Sequence, residues 1–153
     1  MAAPIAIVMG SKSDAAALTE CRKYLAYFGI DSDDFVLSAH RKPKETAAFA
    51  ESAEAKGYKI IIAIAGMAAH LPGVIAASTA LPVIGVPMDG SALNGVDALY
   101  SIVQMPKGVP VAAVAIGKAG AGNAGILAAE ILALSDPDIK QKVHEFKAAG
   151  CKL

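Results

Sequence analysis

Lys59-Ile-Ile-Ile-Ala-Ile-Ala65, followed at once by Gly66-Met-Ala-Ala-His-Leu-Pro-Gly73, is the stretch on which the fold turns. The unbroken apolar run from Ile60 to Ala65 has no polar face, and its β-branched isoleucines crowd a helix but suit a pleated strand. A strand with two apolar faces belongs in the middle of a parallel sheet covered by helices on both sides. Upstream, Pro4-Ile-Ala-Ile-Val-Met9 reads as a strand and Gly10-Ser-Lys-Ser-Asp14 as its loop; a helix then runs to Phe28 and closes at Gly29. Asp34-Phe-Val-Leu-Ser-Ala39, the loop His40-Arg-Lys-Pro43 and an Ala/Glu helix over Lys44–Lys56, closed by Gly57, repeat the pattern. Downstream, Gly66–Gly73 leads into a short helix over Val74–Thr79. Pro82–Val86 and Val109–Val114 supply further strands, with a helix around Gly95–Gln104 between them. Asn123–Leu134 is a helix apolar on nearly every side, and Asp136-Pro137 opens a last amphipathic helix ending near Gly150. This alternation predicts one α/β domain over residues 1–153: a three-layer αβα sandwich around a flavodoxin-like parallel sheet of about five strands, with an extra C-terminal helix.

Composition narrows the function classes. The chain has 153 residues, of which 55% are hydrophobic and only 5% aromatic, so Ala and Gly carry much of the apolar content. Fourteen Lys+Arg balance fourteen Asp+Glu, which argues against nucleic acid or an anionic membrane as a partner. Mean hydropathy is +0.49, yet the longest apolar stretch, Ile60 to Ala77, is broken by His70, Pro72 and glycines, and no transmembrane helix is expected. Met1-Ala-Ala-Pro-Ile5 has neither the basic start nor the cleavage site of a leader, so a cytoplasmic protein is expected. Cys21 and Cys151 form neither a disulfide framework nor a metal cluster, and His40, His70 and His144 lack metal-ligand spacing. An apolar excess in a soluble chain predicts an oligomer. The all-round apolar helix Asn123–Leu134 is the surface expected to meet a neighbour.

In an open parallel sheet, ligands bind beyond the carboxyl ends of the strands, where the loops gather. Gly10–Asp14 there offers backbone N–H groups, a positive helix end and the Ser11 and Ser13 hydroxyls, all suited to phosphate, while Asp14 suits ribose hydroxyls. The alternative is that Ser13 or Asp14 only caps a helix, worth about 1 kcal/mol. Ser38-Ala39-His40-Arg41 pairs a group that exchanges protons near neutral pH with a guanidinium that grips phosphate; alternatively it is a basic surface loop. In Gly66–Gly73, small residues let the backbone approach a flat ligand in a dry pocket, or else the segment is a tight turn with His70 as a cap.

Ile7-Val-Met-Gly-Ser-Lys-Ser-Asp14, Ser38-Ala-His-Arg41 and Ala68-Ala-His-Leu-Pro-Gly73 occur here in one order, joined by Leu99-Tyr-Ser-Ile-Val-Gln-Met-Pro106, Gly108-Val-Pro-Val111, Ala115-Ile-Gly-Lys118 and Asn123-Ala124. On these segments the chain resembles the N5-carboxyaminoimidazole ribonucleotide mutase family, the PurE proteins of purine biosynthesis. The resemblance implies a flavodoxin-like subunit of a homo-octamer, without metal or organic cofactor. That subunit would move a carboxylate from N5 to C4 of the imidazole of a ribonucleotide by decarboxylation and recarboxylation. It also implies His40 as general acid/base and Ser11, Ser13, Asp14 and Arg41 as phosphate and ribose contacts. Ser38, Ala39, Gly66, His70 and Leu71 would line the imidazole and the migrating carboxylate. A related carboxylase using free carbon dioxide is the nearest alternative, and the intact His70-Leu-Pro-Gly73 favours the mutase branch. A noncatalytic relative with a decayed site is the other, motivated by departures from the family pattern. Ile64 and Met67 stand where glycines are common, and Lys42 replaces a threonine. If position 67 needs a positive φ, methionine strains the turn there.

Overall fold

The computed structural model describes residues 3–153; the leaderless reading of Met1 and Ala2 lies outside them. The sheet is five-stranded in the order β2-β1-β3-β4-β5. Its strands are β1 (Ile5–Met9), β2 (Ser32–Val36), β3 (Ile60–Gly66), β4 (Val83–Met88) and β5 (Ala112–Ala113), and every pairing is parallel. Alternation along β3 sorts its apolar side chains. Ile60, Ile62 and Ile64 join the core beneath α1 (Ala15–Phe28), α5 (Gly117–Leu132) and α6 (Pro137–Ala148). Ile61, Ala63 and Ala65 join the core beneath α2 (Pro43–Ala53), α3 (Leu71–Ala77) and α4 (Val96–Val103). The result is the flavodoxin-like three-layer fold expected. Because α1 and α3 leave the neighbouring strands β1 and β3 toward opposite faces, a crevice opens between those strands' carboxyl ends.

Several boundaries differ from expectation for physical reasons. β2 runs over Ser32–Val36 rather than Asp34–Ala39, and its acidic residues are held by side chains: Tyr58 donates to Asp33 at 2.9 Å and Arg22 pairs with Asp34. α3 begins at Leu71, since Pro72 falls in the first turn, where no N–H is needed. β5 shrinks to Ala112–Ala113, on a sheet edge next to Pro110, which has no N–H to donate. α5 begins at Gly117, well before Asn123, although its glycines disfavour a helix by roughly 1 kcal/mol each.

Packing explains those glycines. A Cβ on Gly122 would lie 2.8 Å from the Tyr24 ring, and one on Gly125 2.9 Å from the Cys21 carbonyl oxygen, so α5 and α1 meet backbone to backbone. This close approach absorbs much of the chain's small-residue content. Part of α5 is covered inside the chain by α1 and α6, with Glu130 paired to Lys147 at 2.7 Å, while Ile126, Leu127 and Ile131 stay half-buried and Leu134, just past its end, is exposed. A second group of exposed apolar side chains, Leu93, Val96, Tyr100 and Val103, lies on and before α4. Gly125→Ala must push a methyl against backbone rather than a flexible side chain. Its cost is about 1–3 kcal/mol, read as a lower denaturant midpoint with unchanged m; an unchanged midpoint would refute the backbone contact.

Candidate active site

A cavity of about 450 Å³ occupies the carboxyl edge of the sheet. Its walls contain Ser11, Ser13, Asp14, Ser38, Ala39, His40, Arg41, Gly66, His70 and Leu71, every site residue expected from the sequence. Gly10, Ala65, Met67, Ala68, Ala69, Met88 and Gly90 complete it. Met88 and Gly90, from the end of β4 and just beyond, were not among the expected site residues; their place after a strand's carboxyl end is the signal that marks them.

The first wall is a single 3-10 turn, Lys12–Asp14, inserted before α1. The Ser11 side chain caps it, accepting from the Ser13 amide at 3.3 Å and from the Ser13 hydroxyl at 2.9 Å. Asp14 precedes α1 but its carboxylate makes no capping bond. Capping therefore belongs to Ser11, and Asp14 lines the cavity although only 8% of its surface is exposed. The amino end of α1 adds its partial positive charge to the same wall.

The second wall follows β2. Leu37 donates its amide to Met9 at 2.9 Å, extending the pairing by one residue, and the Ser38 hydroxyl then accepts from the Arg41 amide at 3.3 Å. Pro43 opens α2 immediately afterward, so His40 and Arg41 project from a short braced turn. Among the described residues Arg41 joins no ion pair, leaving its guanidinium for an anion. Lys42 faces Glu45 at 3.6 Å and is not among the cavity residues.

The third wall turns sharply. Ala69 donates to Met67 at 2.9 Å and His70 to Ala68 at 2.8 Å, while buried Ala69 and Leu71 anchor the segment. Met67 takes φ +54°, the left-handed conformation that costs a non-glycine residue about 1 kcal/mol. Its side chain is 64% exposed and stands at the cavity rim, while Ile64 is buried in the core below. His70 sits at the amino end of α3 without capping it. Instead its Nδ1 lies 2.6 Å from His40 Nε2, the rings nearly perpendicular at 76°.

The cavity thus joins hydroxyls and a guanidinium suited to phosphate, an acceptor suited to sugar hydroxyls, and paired imidazoles against a wall of small residues. Residues 4–152 match the family described as AIR carboxylase. The chain belongs to this family. Within the AIR carboxylase family it is 54% identical to the N5-carboxyaminoimidazole ribonucleotide mutase of Escherichia coli K12 over 147 residues, covering 96% of this chain and 87% of that protein. With the Haemophilus influenzae protein of the same name, identity is 55% over 145 residues, 95% of this chain and 88% of that one. The crystal structure of Treponema denticola PurE matches with a TM-score of 0.86 at 29% identity, over 96% of this chain and 90% of that one.

Other groups carry less chemistry. Among the described residues no three His, Cys, Asp or Glu side chains converge as a metal ion requires. Burial pushes the Cys21 thiol up to about 12, far from a thiolate nucleophile. Among the described residues no helix is long and apolar enough to cross a membrane.

Burial also holds the Asp14 carboxyl above its ordinary range, with the Ser11 backbone amide and the Ser13 hydroxyl pulling it partly back. Folding then makes the native chain bind more protons than the unfolded one, so stability falls as pH rises from the ordinary carboxylate range through the raised value. Asp14→Asn removes that loss. Its thermal midpoint should exceed that of the unsubstituted protein at pH 7, and the gap should close below about pH 4. A less stable variant at pH 7 would contradict a buried, costly carboxylate.

Proposed function

We infer that this protein acts as an N5-carboxyaminoimidazole ribonucleotide mutase, an isomerase of purine biosynthesis. The observation that carries this reading is the meeting of His40, Arg41, the Ser11–Asp14 turn and the His70 segment in one cavity, in a chain 54% identical to a relative bearing that name. The mutase is favoured over carboxylation by free carbon dioxide because relatives of similar identity in several organisms carry the mutase name. The intact His70-Leu-Pro-Gly73 agrees with it.

In this reading Ser11, Ser13 and Arg41 hold the phosphate, Asp14 accepts from the ribose, and Ser38, Ala39, Gly66, His70 and Leu71 surround the imidazole. The N5–carboxylate bond breaks, its electron pair returns to nitrogen, and His40 supplies a proton there. Carbon dioxide, kept among Ala65, Gly66, Ala68 and Ala69, cannot exchange readily with solvent. The electron-rich C4 attacks it, forming the carbon–carbon bond, and His40 takes the C4 proton to restore the aromatic ring. The proton lent in the first half returns in the second, and no external electron donor or acceptor is needed. Proximity replaces a bimolecular encounter with a recombination inside one pocket.

The same reading makes the chain one catalytic domain of a cytoplasmic homo-oligomer, an octamer by family resemblance. The exposed Leu93, Val96, Tyr100 and Val103 are an apolar surface suited to subunit contact. Sedimentation as a folded monomer at micromolar concentration would overturn the oligomer.

Substrate carrying a labelled carboxylate, turned over in unlabelled bicarbonate, should yield labelled product; loss of all label sinks the mutase reading. Turnover should vanish in His40→Asn and survive in His144→Asn, whose side chain lies exposed on α6. Arg41→Ala should weaken substrate binding by about 1.5–3 kcal/mol, roughly 10- to 150-fold; unchanged affinity would put the phosphate elsewhere.

A further inference from the structure

We propose that His70 is a positioning residue for His40. In the free protein the two imidazoles share one proton between His40 Nε2 and His70 Nδ1, fixing the tautomer and ring plane of His40 before substrate arrives. The contact is 2.6 Å, shorter than an ordinary N–H hydrogen bond, with ring centroids 4.7 Å apart. Two protons on the facing nitrogens would collide and two bare lone pairs would repel, so one proton is the only occupancy the distance accepts.

Both rings are carried by braced backbone. His40 lies within the turn that the Ser38 hydroxyl closes onto the Arg41 amide, and His70 lies between buried Ala69 and Leu71, at the end of the turn made by left-handed Met67. The His70 side chain forgoes capping α3 and takes His40 as its partner. An incoming nucleotide then meets an imidazole already oriented, with His70 still holding Nε2 and the other ring nitrogen of His40, Nδ1, left to exchange the proton. This deepens the mutase reading and rests on it only for what His40 does next.

The test joins spectroscopy of the free protein to kinetics. Long-range 1H–15N spectra of protein labelled at histidine should contain one low-field ring N–H linked to both imidazoles. The signal should persist in His144→Asn and disappear in His70→Leu and His40→Asn. His70→Asn, whose amide can stand where Nδ1 stood, should keep the His40 ring signature and most of the rate. His70→Leu should lower kcat by about 100-fold, the cost of a misplaced reacting group, with little change in KM. A His40 spectrum indifferent to His70→Leu overturns the proposal, as does a change confined to KM, which would leave His70 a binding contact only. If the shared signal is present and label transfer fails, the imidazole pair stands and the mutase reading alone falls.

Discussion

Parallel pairing at the centre of the sheet governs nearly everything else in this structure. A parallel neighbour is reached only after the chain has crossed a face, so each strand ends in a loop at the same edge and each return brings a helix. β1 and β3, buried between two helical layers, fix that edge, and their oppositely directed helices part there. The Ser11–Asp14 turn, the His40 turn and the His70 turn are far apart along the chain, yet the sheet leaves them no other place to gather.

That architecture is legible in the sequence because its signals are local and repeated. The apolar run of β3, the stop at Gly29 and the Asp136-Pro137 start each state a boundary without help from distant residues, whereas α2 ends at Ala53, short of the Gly57 stop that the sequence suggests. Asp136 indeed accepts from the Asp138 and Ile139 amides at 3.0 and 3.1 Å. What is illegible depends on partners. The glycines of α5 look like a loop until Tyr24 and the Cys21 carbonyl are set against them. β5 reads as a full strand because neither its edge position nor Pro110's effect is visible from apolar composition. At the site, each wall is recognisable alone, but the approach of His40 to His70 across thirty residues of sequence separation is a product of the fold.

The site is also where local rules are broken. A carboxylate is buried beside hydroxyls, a methionine takes a conformation suited to glycine, and an apolar side chain faces solvent at the rim. Each departure costs stability, and the densely packed layers below offset it. Small residues serve both needs: between α1 and α5 they bring backbones together, and in the third wall they bring backbone to the cavity. Ile64 and Lys42, the other departures from the family pattern, face away from the cavity.

The opposite edge of the sheet carries none of this load. The connections that lead into the strands include the exposed stretch over 54–57, closed by Gly57, and this lies the full length of β3 from the cavity, about 20 Å at the rise of a strand. Divergence can accumulate there without passing through the reacting groups. The molecule is in effect two-ended, with one end free to lengthen, acquire a fusion or be re-entered by new termini while the other keeps its chemistry.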